Sequence, residues 1–496
     1  MMLLRTSLRS IKNVLNSKKS WCTSQSMKRY SSIENSANND YDIIITGGGM
    51  VGTSMLCALA GNDFLKGQRV LLLERDSRIS VAEPLPTYSN RVVALNLGTI
   101  KFLSEIGVWE KVLSKRAKSV QKMQVWESCS ESLITFNNEN MADEVAFIVE
   151  NNILLSAITE KYESIKSENN DIFYQTSVAD YKLPSVNENE NDKVTVELAN
   201  GQVLNTRLLV GADGATSRVR DKMNVKHIKW NYDQSAIVAT LRLSETGENV
   251  TAWQRFLQTG PVALLPLTDE LSSLVWSTTK SECKRLLKMT DEQFVDTLNS
   301  AIWDNSKKNA FVESAAHVMS GFLDAIMADR LSILQLPPSI MSVVENSRGS
   351  FPLSLGHASN YVVDGVALVG DAAHKVHPLA GQGVNLGFGD VKCLVDLLSR
   401  AVYDGCPLND IQILRQYETI RQRHVVPTMI AIDGLNRLYS TDFTPAVLIR
   451  SLGLQVTNSV PFLKNAVSSV LHAVQFQLSE QNAIHSVDFE KKQLGN

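Results

Sequence analysis

Residues 41–52 read Tyr-Asp-Ile-Ile-Ile-Thr-Gly-Gly-Gly-Met-Val-Gly, and this stretch decides the fold. Tyr41–Thr46 is a short apolar, β-branched run of the kind that forms a buried parallel strand. Glycines follow at once, and Thr53–Ala60 has helical composition. Arg69–Glu74 (Arg-Val-Leu-Leu-Leu-Glu) is a second buried strand ending in an acid. Strand, glycine turn, helix, strand, acid is a βαβ unit for an adenine dinucleotide. Gly47 permits the tight turn, Gly49 lets backbone approach a pyrophosphate, and Gly52 lets helix and strand pack closely. The helix N-terminus offers free N–H groups and partial positive charge to the phosphates. Glu74 suits a ribose diol, and its charge disfavours the 2′-phosphate of NADP at this site.

Two more glycine segments lie downstream: GADGATSRVR at 211–220 and GDAAHKVHPLAGQGVNLG at 370–387. Each follows a buried apolar run, Leu208-Leu209-Val210 and Gly365–Val369 respectively. Asn200-Gly201, between Lys193–Leu198 and Gln202–Val210, signals a hairpin turn. Between the second and third segments, Ser235–Leu243, Pro261–Leu267 and Ser272–Thr278 are strand-like and make a β-rich insertion. The spacing predicts helices at Thr99–Trp109, Val149–Ser164 and Asp291–Leu334, strands within Val120–Phe136, and a mainly helical chain from Leu386 onward.

The chain has 496 residues, 44% hydrophobic and 20% charged, which excludes a disordered protein and allows a large core. Six cysteines form no C-x-x-C pair and no zinc spacing, which reads as free buried thiols in a reducing compartment. Residues 1–33 carry seven Lys or Arg and no Asp or Glu, with Leu4, Leu8, Ile11 and Leu15 at helical spacing. This is the pattern of a mitochondrial presequence, and Arg29-Tyr30-Ser31-Ser32 resembles a cleavage site after Tyr30. Removing those seven charges takes the formal net charge from −3 to −10, which disfavours a nucleic-acid partner.

The whole arrangement resembles the flavoprotein aromatic hydroxylases of the para-hydroxybenzoate hydroxylase fold, and within them the ubiquinone-biosynthesis hydroxylases. The resemblance covers roughly residues 41 to 475. Asn90–Trp109, Ala252–Trp276 and Phe351-Pro352-Leu353 carry it, and the stretch from Gly365 to Val391 is its most specific piece. It implies an α/β fold: a Rossmann-like FAD-binding domain interleaved with a β-sheet substrate domain, plus a C-terminal helical segment. The expected boundaries are 1–40 presequence and linker; 41–119, 149–230 and 351–400 FAD-binding; 120–148 and 231–350 substrate domain with a helical insertion; and 401–496 C-terminal helices. Gly47, Gly49, Gly52 and Glu74 then hold the ADP half of FAD, with Arg91 near the flavin and its phosphates. Asp213 and Gly214 belong to a motif shared between FAD and nicotinamide contacts. Gly370 and Asp371 engage the ribityl chain and pyrophosphate, and Pro378 with Gly381, Gln382, Gly383, Val384 and Asn385 borders the flavin ring. No catalytic side chain is assigned; Pro378 and Gln382 are the flavin-adjacent candidates.

The implied reaction is hydroxylation by dioxygen, through a flavin hydroperoxide, of a polyprenylated 4-hydroxybenzoate-type phenol, ortho to the phenol hydroxyl at ring carbon 5. The implied electron donor is a ferredoxin system or NAD(P)H. Implied partners are other quinone-biosynthesis proteins and the matrix side of the mitochondrial inner membrane, held peripherally. Two alternatives stay open: an FAD-dependent dehydrogenase or reductase of the same fold, or a flavin-stabilised scaffold of a biosynthetic complex. His374 and His377 stand three residues apart, but no carboxylate motif completes a metal site. The amphipathic stretch Thr444–Gln477, with Val447, Leu448, Phe462 and Leu463 beside Arg450 and Lys464, suits either a membrane surface or a helix packed on the FAD domain.

Overall fold

The strand Asp40–Thr46 lies mid-way across a sheet whose parallel members run in the order Val366–Leu368, Val203–Gly211, Asp40–Thr46, Val70–Leu73, Asn170–Phe173. These relations come from a computed structural model, which describes residues 39–451 apart from 82–85, 129–132, 138–143, 185–192, 246, 305–335, 379–380, 442, 446 and 449. Ile43, Ile44, Ile45, Leu71 and Leu209 are fully buried, as expected of strands covered on both faces. The Asn200-Gly201 hairpin forms, with Val194–Leu198 antiparallel to Val203–Gly211 and Gly201 at φ +85°. Helix Met50–Gly61 is buried from Gly52 to Ala60 because helices Asn151–Ile165 and Gly383–Tyr403 both pack against it.

A second sheet of nine strands holds the β-rich insertion. Its order is His374–Lys375, Gly349–Ala358, His227–Leu243, Leu271–Thr279, Gly260–Pro266, Thr251–Leu257, Lys122–Glu127, Leu133–Asn137, with Ile340–Val343 also on His227–Leu243. Trp253, Leu274, Trp276, Phe294 and Leu298 form its core with two helices, Lys280–Leu287 and Asp291–Trp303. Fully buried Arg255 donates to the carbonyls of Ala301, Ile302 (2.6 Å) and Asp304 (2.8 Å), pinning the C-terminal end of the second helix to the sheet. A three-stranded sheet joins Val92–Asn96, Ala146–Glu150 and Lys118–Val120.

Several expectations shift in detail. The helix expected over Thr99–Trp109 is two helices, Leu97–Glu105 and Trp109–Lys115, broken at Gly107 with φ +67°. The helix expected from Val149 begins at Asn151, because Ala146–Glu150 is a strand. The helix expected over Asp291–Leu334 is described only as Asp291–Trp303; residues 305–335, the presequence, the acidic loop 187–192 and residues beyond 451 lie outside the described residues.

One reading is corrected. Arg450 is not available to a membrane surface. Its guanidinium is buried, pairs with buried Glu127 at 2.6 Å and donates to the carbonyls of Leu438 and Thr441 at 2.7 Å each. Ser451 donates to the same carboxylate, and Val447 is buried. A desolvated charge is held only where partners surround it, so the chain up to Ser451 docks on the nine-stranded sheet. Tyr439, stacked on Phe256 with centroids 3.9 Å apart, extends that contact.

Candidate functional site

Register brings the three glycine segments together. Thr46 pairs with Gly211, and Gly211 pairs with Leu368. Each segment therefore leaves the carboxyl end of one of three adjacent parallel strands, where open α/β sheets bind ligands. The third segment then crosses over: after Gly370–Ala372, His374–Lys375 joins the nine-stranded sheet. The site thus sits at the junction of the two sheets.

The glycines interlock these segments. A Cβ on Gly47 (φ +102°) would lie 2.4 Å from the Ala212 carbonyl oxygen, and one on Gly52 would lie 1.9 Å from the Gly47 oxygen. A Cβ on Gly370 (φ +61°) would meet Val51 at 3.2 Å, and one on Gly387 would meet Val51 at 2.7 Å. Gly49 and Gly214 differ, for a Cβ at either meets nothing within 4 Å. Gly49 caps helix Met50–Gly61 without any side-chain cap, so no N-cap side chain takes up its first-turn N–H groups. Glu74 accepts from the Gly48 N–H and, at 2.7 Å, from the Asp76 N–H.

The second segment is fixed by its own polar groups. Asp213 Oδ2 accepts from the N–H groups of Arg218 (2.8 Å) and Val219 (3.3 Å), while its buried Oδ1 has no partner among the described residues. Arg220, buried, donates to the Ala215 carbonyl at 3.0 Å and to the Ala372 carbonyl at 2.9 Å, tying the second segment to the third. Asp371 is exposed, yet protein crowds it, and desolvation lifts its carboxyl above the usual range against the pull of His374 and Lys375.

Gly381 (φ +61°), Gly383 and Val384 lie at the entry to helix Gly383–Tyr403, with Gln382 as its N-cap residue. The Gly381 N–H donates to the Pro378 carbonyl at 3.0 Å. The Asn385 side chain is spent within the protein: it donates to the carbonyls of Ala94 (2.9 Å) and Gly381 (3.1 Å) and accepts from Thr99 Oγ1 (2.8 Å). It fastens the third segment to the strand Val92–Asn96. Arg91 is exposed, and its guanidinium has no hydrogen bond or ion pair among the described residues.

The two histidines diverge. His374 Nε2 bonds Asp390 Oδ2 at 2.7 Å. His377 packs edge-on against Tyr232, centroids 5.0 Å apart, and burial lowers it to about 4, opposed by Asp433.

Sequence reasoning missed Arg220, Asp390 and Arg421. Asp390 is fully buried, as is Arg421, and they pair at 2.6 Å. The available signal was a carboxylate inside an otherwise apolar helical face, which demands a partner.

Comparison with known proteins completes the picture. The FAD binding domain family matches residues 40–333 and 343–429. The mitochondrial ubiquinone biosynthesis monooxygenase COQ6 of Danio rerio is 48% identical over 435 residues, covering 87% of this chain and 90% of that one. The Homo sapiens COQ6 is 43% identical over 434 residues, covering 87% and 92%.

The chain belongs to the COQ6 monooxygenase family.

As a COQ6-family protein it is an FAD-dependent monooxygenase. Two solved structures share its fold. PqsL of Pseudomonas aeruginosa, a probable FAD-dependent monooxygenase, has a TM-score of 0.61 at 22% identity, covering 84% of this chain and 99% of that one. The p-nitrophenol 4-monooxygenase PnpA of Pseudomonas putida has a TM-score of 0.61 at 16% identity, covering 87% and 97%. The residues fit FAD: the open space at Gly49 and Gly214 and the unpartnered Asp213 Oδ1 are what an extended dinucleotide would fill. Among the described residues no helix is long and apolar enough to cross a membrane.

Proposed function

We propose that this chain hydroxylates a polyprenylated 4-hydroxybenzoate-type phenol at the ring carbon ortho to its hydroxyl (ring carbon 5), during mitochondrial ubiquinone biosynthesis. The carrying observation is the interlock of three glycine segments at the carboxyl ends of three adjacent strands. The names of the COQ6 relatives supply the pathway and the compartment. The basic, acid-free residues 1–33 support import, with the enzyme held peripherally on the matrix side of the inner membrane. Electrons come from a ferredoxin system or NAD(P)H.

Gly47, Gly49 and Gly52 bring the N-terminus of helix Met50–Gly61 against the pyrophosphate, and Glu74 receives the ribose diol. Asp213 and Gly214 line the middle of the molecule, with Arg91 near the phosphates and flavin. Gly370 and Asp371 hold the ribityl chain. Pro378 and Gly381, Gln382, Gly383, Val384 and Asn385 border the ring by backbone, since the Asn385 side chain is already engaged. Bound FAD supplies the electrons that activate dioxygen and the route by which one oxygen atom reaches the substrate ring.

The protein contributes position and dryness. N–H groups at the start of helix Gly383–Tyr403 favour negative charge beside Gln382 and Gly383. Buried His377, next to Pro378 in the chain, is neutral because burial lowers it to about 4, so it adds no full charge there. Orientation of the phenol against the third segment replaces a collision in solution, and exclusion of water limits wasteful release of peroxide.

The test is the mass of the lipid that accumulates in cells lacking the protein. The expected species keeps its prenyl tail and lacks one ring oxygen. Accumulation of an unprenylated acid, or of a fully hydroxylated quinol, contradicts the assignment.

A further inference from the structure

A buried polar cluster lies behind the third glycine segment, and nothing in the assigned flavin contacts requires it. Asp390, on helix Gly383–Tyr403, accepts from the Gly370 N–H at 2.8 Å and from His374 Nε2 at 2.7 Å through one oxygen. Its other oxygen accepts from Arg421 Nε at 2.6 Å. Arg421 also donates to the Leu386 carbonyl at 3.0 Å. Arg421 lies on helix Ile411–Tyr439, and one turn earlier on that helix Tyr417 donates to the Leu368 carbonyl at 2.7 Å. Helix Ile411–Tyr439 therefore holds the turn directly at Leu368 and, through Asp390, at Gly370.

One glycine makes room for this grip, and a second lets the two elements meet closely. A Cβ on Gly389 would fall 2.9 Å from Arg421 Nη2, and one on Gly387 would fall 3.4 Å from the Gly370 Cα. A buried ion pair is often no better for stability than apolar side chains of similar size. A purely structural account thus leaves it unexplained why a carboxylate and a guanidinium occupy this spot. Geometry does explain it. The Gly370 peptide sits at φ +61°, its N–H needs an acceptor, and the next residue is Asp371.

We propose that Asp390 and Arg421 are positioning residues for the flavin site, fixing the Gly370-Asp371 turn so that Asp371 meets the ribityl chain. Asp390 holds the turn by its N–H, and Arg421 and His374 hold Asp390. None of the three need touch FAD.

The test separates position from stability with the double variant Asp390→Leu/Arg421→Met, which removes both charges together and leaves neither unpaired. The readouts are thermal unfolding without FAD, FAD affinity by quenching of flavin fluorescence, and the visible absorption spectrum of the bound flavin. Expected are a cofactor-free protein that still unfolds cooperatively, with a Tm lowered only by the loss of an acceptor for the Gly370 N–H and His374, FAD binding weakened at least tenfold, and displaced flavin bands. A stable double variant with parental affinity and spectrum overturns the proposal. Should the double variant not fold, Arg421→Lys decides, since it keeps the charge and loses the two-point grip on Asp390 and Leu386. Affinity lowered several-fold with a changed spectrum, in material folded by circular dichroism, supports the assignment. Parental affinity and spectrum in that variant overturn it.

Discussion

The same methyl group placed at two glycines three residues apart should have opposite consequences. In Gly52→Ala the new carbon lies 1.9 Å from the Gly47 carbonyl oxygen. An ordinary carbon–oxygen contact is about 3.3 Å, so helix and turn must separate by about 1.4 Å. The obstacle is backbone, which has no rotamer to adopt. Helix Met50–Gly61 is buried along Gly52–Ala60, so its retreat disturbs packing on every side. Overpacking of this kind costs about 1–3 kcal/mol or more. Gly52→Ala should lower the Tm of the cofactor-free protein by several degrees. In Gly49→Ala the methyl enters open space at φ −69°, a conformation alanine accepts. The cofactor-free stability should move by about 1 kcal/mol or less, the usual scale of an N-cap change. On the proposed reading of the site, the methyl instead occupies the approach path of the pyrophosphate. Losing one charge-assisted hydrogen bond to phosphate costs about 1.5–3 kcal/mol, or roughly 10–100-fold in Kd. Differential scanning of the cofactor-free variants and FAD titration together read both effects. Parental FAD affinity in Gly49→Ala would refute the reasoning, as would an undisturbed Tm in Gly52→Ala.

Three further outcomes follow from named contacts. Glu74→Gln keeps one acceptor for the Gly48 and Asp76 N–H groups and should weaken FAD binding by about tenfold, a single charge-assisted bond, measured by the same titration. Glu127→Gln leaves the Arg450 guanidinium buried beside a neutral amide and should cost about 3–5 kcal/mol in denaturant unfolding; Glu127→Met with Arg450→Met should recover most of it. Burial holds His377 near 4 in the folded chain against 6.5 when unfolded, so the unfolded state binds the extra proton. Its contribution is complete above pH 6.5 and is lost as pH falls from 6.5 toward 4, by about 3 kcal/mol in all. Between those pH values the stability of His377→Gln should depend on pH less steeply than the parent's, by about one proton, as read from Tm against pH; His424, also lowered to about 4 by burial, supplies a parallel slope in both proteins.

The βαβ unit was legible because its signals are local: an apolar run, glycines at fixed offsets, and an acid at the end of the next strand. The Asn200-Gly201 hairpin was legible for the same reason. The break at Gly107 escaped notice because apolar periodicity continues through Ile106, Val108 and Trp109 while the backbone turns. Strand Ala146–Glu150 was absorbed into the following helix because Val149 and Ile153 suit both periods. At the site, the glycines announced themselves, but the groups that hold them did not. Arg220, Asp390 and Arg421 act across 152, 20 and 31 residues of chain, and only the three-dimensional path shows which carbonyl or N–H each one meets. Asn385 illustrates the converse: its place in the motif was visible, but its use in tying Ala94, Thr99 and Gly381 together was not. Arg450 misled because a basic residue in an amphipathic run looks solvated until its carboxylate partner, 323 residues away in sequence, is seen.

The most direct measurement is a titration of FAD into the purified, cofactor-free protein, followed by flavin fluorescence and visible absorption. Saturable uptake of one FAD per chain, with quenched emission and a protein-induced change in the flavin bands, is the predicted result. A protein folded by circular dichroism that stays colourless and takes up no FAD would contradict the account at its root.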